Sequence, residues 1–283
     1  MSASALTASL ERAAHGHRAF ADVMELEPAA RAPDVDAAEK RARVFWDDIR
    51  KCRWRQILGD HTGAATARYQ FPEGGLITLF PLSGAMEADI TNAWNWGPIA
   101  RDEGKADRAT LKRVLGKLAT ALGAQLLGGD ETLRFERVWE TKGRATTLKG
   151  EDSATALLSV VGAFRRFIDD LPVLGRASIH VKLGAAARPS GWGFDWRGCS
   201  KRIGKVAIVE PQHAAQRVVE KLSQRWSGKV PTADHYRVEL FQLAYFSAGR
   251  RVGQNLFEPV WVAKLAPLTA IGTGQVIVVP ATR

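Results

Sequence analysis

The stretch Phe167-Ile-Asp-Asp-Leu-Pro-Val-Leu-Gly175, followed at once by Ser178-Ile-His-Val-Lys-Leu183, constrains the fold more than any other part of this chain. It reads as a strand, a tight corner at Leu171-Pro172, and a second strand with alternating apolar residues. Alternation sets His180 against Ile179 and Val181, which directs it to the solvent face. In the same strand reading, Asp169 and Asp170 point to opposite faces and cannot jointly flank a bond. Either is better used to accept backbone hydrogen bonds at the corner. These features speak to architecture rather than to chemistry.

Elsewhere the period of the apolar residues changes repeatedly. Three- and four-residue steps through Ala38, Ala42, Phe45, Trp46 and Ile49 predict a helix over 36–57. Leu111, Val114, Leu115, Leu118, Leu122 and Leu126 predict another over 107–127, and Ala214, Val218, Leu222 and Trp226 one over 211–226. Shorter helices are expected over 6–20 and 152–161. Strands are expected at 65–71 and 76–82 around Pro72-Glu-Gly-Gly75, then at 87–94, 133–141, 144–149, 164–170, 178–183, 192–197, 206–209, 236–246, 259–263 and 275–279. Helices interspersed with meandering strands argue an α+β fold rather than a doubly wound sheet.

A helix, a strand ending in the Leu171-Pro-Val-Leu-Gly175 corner, an alternating strand, and a strand bearing Trp196-Arg197 together resemble modules of the PepSY and fungalysin/thermolysin-propeptide (FTP) type. The later residues fit the same pattern, with a helix over 212–226, a strand over 238–245 and Glu258-Pro-Val-Trp-Val262. The likeness covers 131–266, and the first half reads as a degenerate copy. What the resemblance implies is tandem cystatin-like modules, each a curled antiparallel sheet packed on a helix. The expected organisation is a flexible or partly helical lead-in over 1–36, a first α+β module over 37–130 and the PepSY-like module over 131–283. Modules of that class act as inhibitors or chaperones of peptidases, or as interaction domains.

Chemistry-bearing motifs are sparse. Cys52 and Cys199 have no close Cys or His to make a zinc site, and nothing in their flanks demands a bridge. His15, His17, His61, His180, His213 and His235 are scattered. Gly191-Trp-Gly193 and Gly272-Thr-Gly274 lack the further Gly and Lys of a nucleotide-binding loop, and no Gly-x-Ser-x-Gly elbow occurs. No catalytic residue, metal or cofactor is therefore assigned.

Nine tryptophans are many for 283 residues. Trp46, Trp139, Trp226 and Trp261 lie on apolar faces and are assigned to the core. Trp94, Trp96 and Trp192 sit beside Gly or Pro in expected loops, where exposed rings near Arg stack on a ligand or peptide. With Arg197 they form the candidate partner-binding set.

These readings favour a non-catalytic module that binds a protein or peptide by pairing at a free strand edge. A second reading is a cyclase- or isomerase-type enzyme with an apolar pocket and Glu87, Asp89, His180 and Glu239 as polar groups. A third is polyanion or nucleic-acid binding through the net charge of +10 and pI near 9.9. As the chain is given, it opens with no secretory signal and has no run of about 18 apolar residues, so a cytoplasmic location is expected, or a secreted one if a leader has been removed.

Overall fold

The computed structural model describes residues 3–27, 55–59, 67–70, 75–90, 97–146, 148–225, 235–268 and 273–282. Among them are three α-helices: α1 (Ala3–Arg12), α2 (Arg108–Gly123) and α3 (Pro211–Arg225). The rest is mostly strand: β1 (Ala14–His15), β2 (Phe20–Leu26), β3 (Arg55–Gly59), β4 (Ala67–Gln70), β5 (Gly75–Phe80), β6 (Ala85–Ile90), β7 (Glu131–Gly143) and β8 (Ala156–Ile168). The second half adds β9 (Leu171–Gly175), β10 (Ser178–Leu183), β11 (Pro189–Phe194), β12 (Cys199–Ala207), β13 (Tyr236–Ser247), β14 (Leu256–Phe257), β15 (Pro259–Pro267) and β16 (Gln275–Pro280).

The α+β expectation of tandem cystatin-like modules is overturned by this architecture. One 13-stranded sheet runs β16-β15-β13-β9-β8-β10-β11-β6-β5-β4-β3, with β1 beside β13 and β7 beside β8. It is mixed, because β9 and β1 both pair parallel with β13. The β11–β6 ladder carries the sheet across the expected boundary near residue 130, joining Gly191–Phe194 to Met86–Asp89. A second sheet, β12-β2-β14, is separate.

Two local readings caused the error. The helix expected over 152–161 does not form: residues 156–161 open the 13-residue strand β8, which has β7 on one side and β10 on the other. Ala156, Leu157 and Leu158 favour helix while Val160 and Val161 favour strand, so local preference is divided and the two flanking ladders decide. The corner also falls earlier than expected. Asp169 and Asp170 adopt left-handed φ values of 48° and 63° and form the two-residue turn between β8 and β9, while Leu171 and Pro172 already pair with Ile168 and Phe167. Aspartate tolerates that conformation, and such turns match strand twist.

Helix α2 forms as its sequence dictates. The Asp107 carboxylate accepts from the Thr110 amide at 3.0 Å, and hydrogen bonding from the Thr110 side chain, then from this amide, holds its pKa below the usual carboxylate value. Leu111, Leu115, Ala119 and Leu122 are buried in one cluster with Ile77, Leu79, Met86, Phe164, Ile179, Val181, Trp192 and Phe194. A second core joins α1 and α3 to the far end of the sheet through Leu6, Leu10, Val218, Leu222, Phe241, Leu243 and Trp261. The first helix ends at Arg12 rather than Phe20, and Phe20 opens β2. The Tyr245 hydroxyl donates to the Asp22 carbonyl at 2.9 Å and ties β2 to β13.

Candidate binding face and strand edge

Helix α2 packs on β8 and β10, and its buried leucines share one apolar cluster with residues of β5, β6 and β11, so alternate residues of these strands emerge on the opposite face. There two rows cross three strands in register: His180, Gly193 and Glu87, then Lys182, Gly191 and Asp89. The glycines are required by close approach. A Cβ on Gly193 would lie 2.6 Å from His180 Nε2, and one on Gly191 would lie 2.7 Å from Asp89 Oδ1. His180 and Asp89 thus lean across β11.

The charges on this face are satisfied within the chain. Glu87 accepts from Arg250 at 2.7 Å, and Arg250 also bonds Asp195 and lies 5.0 Å from the centre of the Phe80 ring. Burial opposes the Arg250 charge, but Asp195 and Glu87 outweigh it and raise its pKa. Asp89 lies 3.6 Å from Lys182. Burial lowers the His180 pKa, against the pull of Glu87 and Asp195. The fold therefore brings together Glu87, Asp89 and His180, but not Glu239. That residue lies on β13, where it is held at 2.7 Å by Lys264, and its carboxyl pKa is lowered.

The same sheet ends its inner stack with an uncovered edge. Among the described residues, β7 has β8 as its sole strand partner along 13 residues. Bulges after Phe135 and Thr141 leave Arg137-Val-Trp-Glu-Thr141 as one regular run. Phe135, Val138 and Trp139 are exposed, with Trp139 showing 44% of its surface. The Arg137 guanidinium lies 4.3 Å from the Trp139 ring centre, and the Lys112 ammonium lies 4.3 Å from that of Phe135.

Glutamates on β7 are tied inward. Glu131 is bound by the fully buried Arg166, which donates from Nε at 3.0 Å and also reaches the Arg197 carbonyl at 2.7 Å and Cys199 Sγ at 3.3 Å. Glu136 pairs with Arg165, and Glu140 accepts from Arg108 at 3.0 Å with Lys142 beside it. The Arg108 hydrogen bond is the main cause that lowers the Glu140 pKa. Cys199 carries a free thiol that burial pushes up to about 11, so it is a poor nucleophile.

Two candidates chosen from the sequence are reassigned. Trp192 is not a loop residue: it lies in β11, 1% exposed, with its ring stacked 6.0 Å from Phe194. Its glycine neighbours mimic a loop but serve the close approach of His180 and Asp89. Arg197, likewise, is 5% exposed. It donates to the carbonyls of Leu82 at 2.9 Å, Gly249 at 2.9 Å and Val252 at 2.7 Å, clamping two loops. Burial lowers its pKa. Trp94 and Trp96 lie outside the described residues, as do Trp46, Trp54, Trp226, Cys52 and His61. Trp139, assigned to the core, is exposed instead, whereas Trp261 is fully buried as expected. A signal for the β7 edge was present: Glu131-Thr-Leu-Arg-Phe-Glu-Arg-Val-Trp-Glu140 carries five charges spread over both faces of a strand, a pattern typical of edges.

Two surface depressions, one lined by Arg12, Tyr236 and Arg237 and the other by His213, Arg217 and Glu220, are lined by none of Glu87, Asp89 or His180. Among the described residues no group of three or more His, Cys, Asp or Glu side chains is arranged to hold a metal ion, and no helix is long and apolar enough to cross a membrane.

No protein-family model and no curated protein matches the chain. Its structure is similar to the crystal structure of an uncharacterized protein from Eubacterium rectale ATCC 33656, with a TM-score of 0.55 and 11% sequence identity over 98% of this chain and 96% of that one. At that identity the likeness concerns the fold alone.

Proposed function

We propose that the protein is a non-catalytic binding module that receives an extended segment of a partner polypeptide along the free edge of β7. The observation that carries this reading is a 13-residue strand with one strand partner among the described residues and exposed Val138 and Trp139 on its regular run. A long edge with unprotected apolar side chains invites pairing, and most proteins blunt such edges. Backbone hydrogen bonds along Arg137–Thr141 supply affinity, each worth about 0.5–1.5 kcal/mol net. Covering the exposed part of Trp139 adds roughly 2 kcal/mol at about 25 cal/mol per Å2. The acid and base groups on the neighbouring face favour the same reading. Glu87 and Asp89 are each held by a cation of this chain, and His180 is packed over the Cα of Gly193.

A photoactivatable phenylalanine analogue at position 139 tests this in extract of the source cells. The expected result is a discrete polypeptide cross-linked from position 139 and absent when the analogue replaces the exposed Val252. Indistinguishable cross-linking from the two positions would refute specific docking at β7.

A further inference from the structure

We infer that the segment received by β7 is acidic. This rests on the edge-docking reading above and adds the chemistry of the occupant. The three glutamates of β7 are each neutralised from within: Glu131 by Arg166, Glu136 by Arg165, and Glu140 by Arg108 and Lys142. The cations bordering the run are not. Arg137 and Lys112 lie on the rings of Trp139 and Phe135, and among the described residues neither has a carboxylate within ion-pair distance. Helix α2, which packs beside β7, contributes Arg108, Lys112, Arg113 and Lys117 and no acidic residue. Of these only Arg108 is engaged by a carboxylate of the described chain. The surplus beside the open backbone edge is therefore positive.

The geometry turns that surplus into a side-chain preference. Stacking on a ring leaves the in-plane N–H donors of a guanidinium free for a carboxylate. A strand added at β7 brings its side chains to within about 5 Å of those directly opposite. Successive residues point to alternate faces, one bearing Arg137 and Trp139 and the other bordered by Lys112. Acidic residues on either face of the incoming segment meet a cation that has no carboxylate partner among the described residues. Lysine or arginine there meets like charge. A nucleic acid strand is drawn by the same cations but has no amides with which to pair the edge.

The probes are three end-blocked eight-residue peptides of alternating Glu-Val, Ser-Val and Lys-Val, plus a ten-nucleotide oligothymidylate. Affinity is measured by titration, and amide hydrogen exchange reports protection at residues 137–141. The Glu-Val peptide is expected to bind about 10-fold more tightly than Ser-Val, with Lys-Val weakest, and the spread should shrink as salt rises. All peptides that bind should protect the outward-pointing amides within 137–141. The double variant Arg137→Glu, Lys112→Glu should reverse the order, and both side chains lie at the surface, so folding is checked by circular dichroism. Should that variant unfold, the single Arg137→Gln variant serves, with narrowing of the Glu-Val preference as its expected effect. Equal affinities with protection at β7 would overturn the acidic preference and leave edge docking standing. No protection by any peptide, with or without oligothymidylate binding, would overturn both.

Discussion

The imidazole of His180 lies across Gly193 of the neighbouring strand, so closely that a Cβ there would sit 2.6 Å from Nε2 and 3.1 Å from the Met86 carbonyl oxygen. Position 193 is thus fixed by what two neighbouring strands project over it. Gly193→Ala is expected to destabilise the protein by about 1–3 kcal/mol, the usual cost of overpacking. Combining it with His180→Ala should recover part of that loss, with Met86 keeping the rest. A double-mutant cycle from urea unfolding measures the coupling, and additivity would contradict the contact.

His180 also gives the protein a signed pH dependence. Burial lowers its pKa below the ordinary 6.5; Glu87, Asp195 and Asp89 pull it upward, and Arg250 downward. As pH falls past 6.5 the unfolded chain takes up the proton first, so stability declines between that value and the lower folded pKa. Below the folded pKa this contribution levels off. Melting curves at pH 7 and pH 5 should show a larger loss for the wild type than for His180→Gln. Equal losses would rule out the assigned burial.

Arg197 holds together loops that are far apart in sequence. Replacing it with methionine removes the donors to Leu82, Gly249 and Val252 while keeping a long side chain. The expected cost is roughly 2–4 kcal/mol, since several carbonyls lose their partner. Limited proteolysis should then cut preferentially within 248–253. Unchanged stability and cleavage would show that the clamp contributes nothing.

Trp139 and Trp261 have opposite fates. Trp261 is fully buried against Phe241 at 4.8 Å between ring centres, so Trp261→Ala should cost about 3–5 kcal/mol. Trp139→Ala should cost under about 1 kcal/mol in the free protein, yet weaken capture of an extended segment by about 10-fold or more. Thermal melts and peptide titration separate these effects.

Local signals in the sequence were good guides to local structure. Asp107 and the leucine spacing located α2, and Pro211 with Ala214, Val218 and Leu222 located α3. The alternation through Ile179, Val181 and Leu183 located β10 and set His180 on the opposite face, where it is half-buried rather than open to solvent as expected. Readings that depended on distant partners failed. The strand state of 156–161 is decided by ladders to β7 and β10, and the burial of Trp192 by packing against α2 and the strands around it. Arg197 looked available because its acceptors lie about 50 and 115 residues away in the chain. For β7 the charge on both faces of 131–140 pointed to an edge, but the apolar spacing around Trp139 did not show its exposure, which depends on the neighbour the strand lacks.

Amide exchange along β7 in the free protein tests the central claim most directly. Groups on residues 137–141 that point toward β8 should be protected, while those pointing outward exchange at close to solvent rates, so the two classes alternate along the run. Uniform protection at every residue from Arg137 to Thr141 would mean that the outer backbone is already occupied, and the docking account would fall.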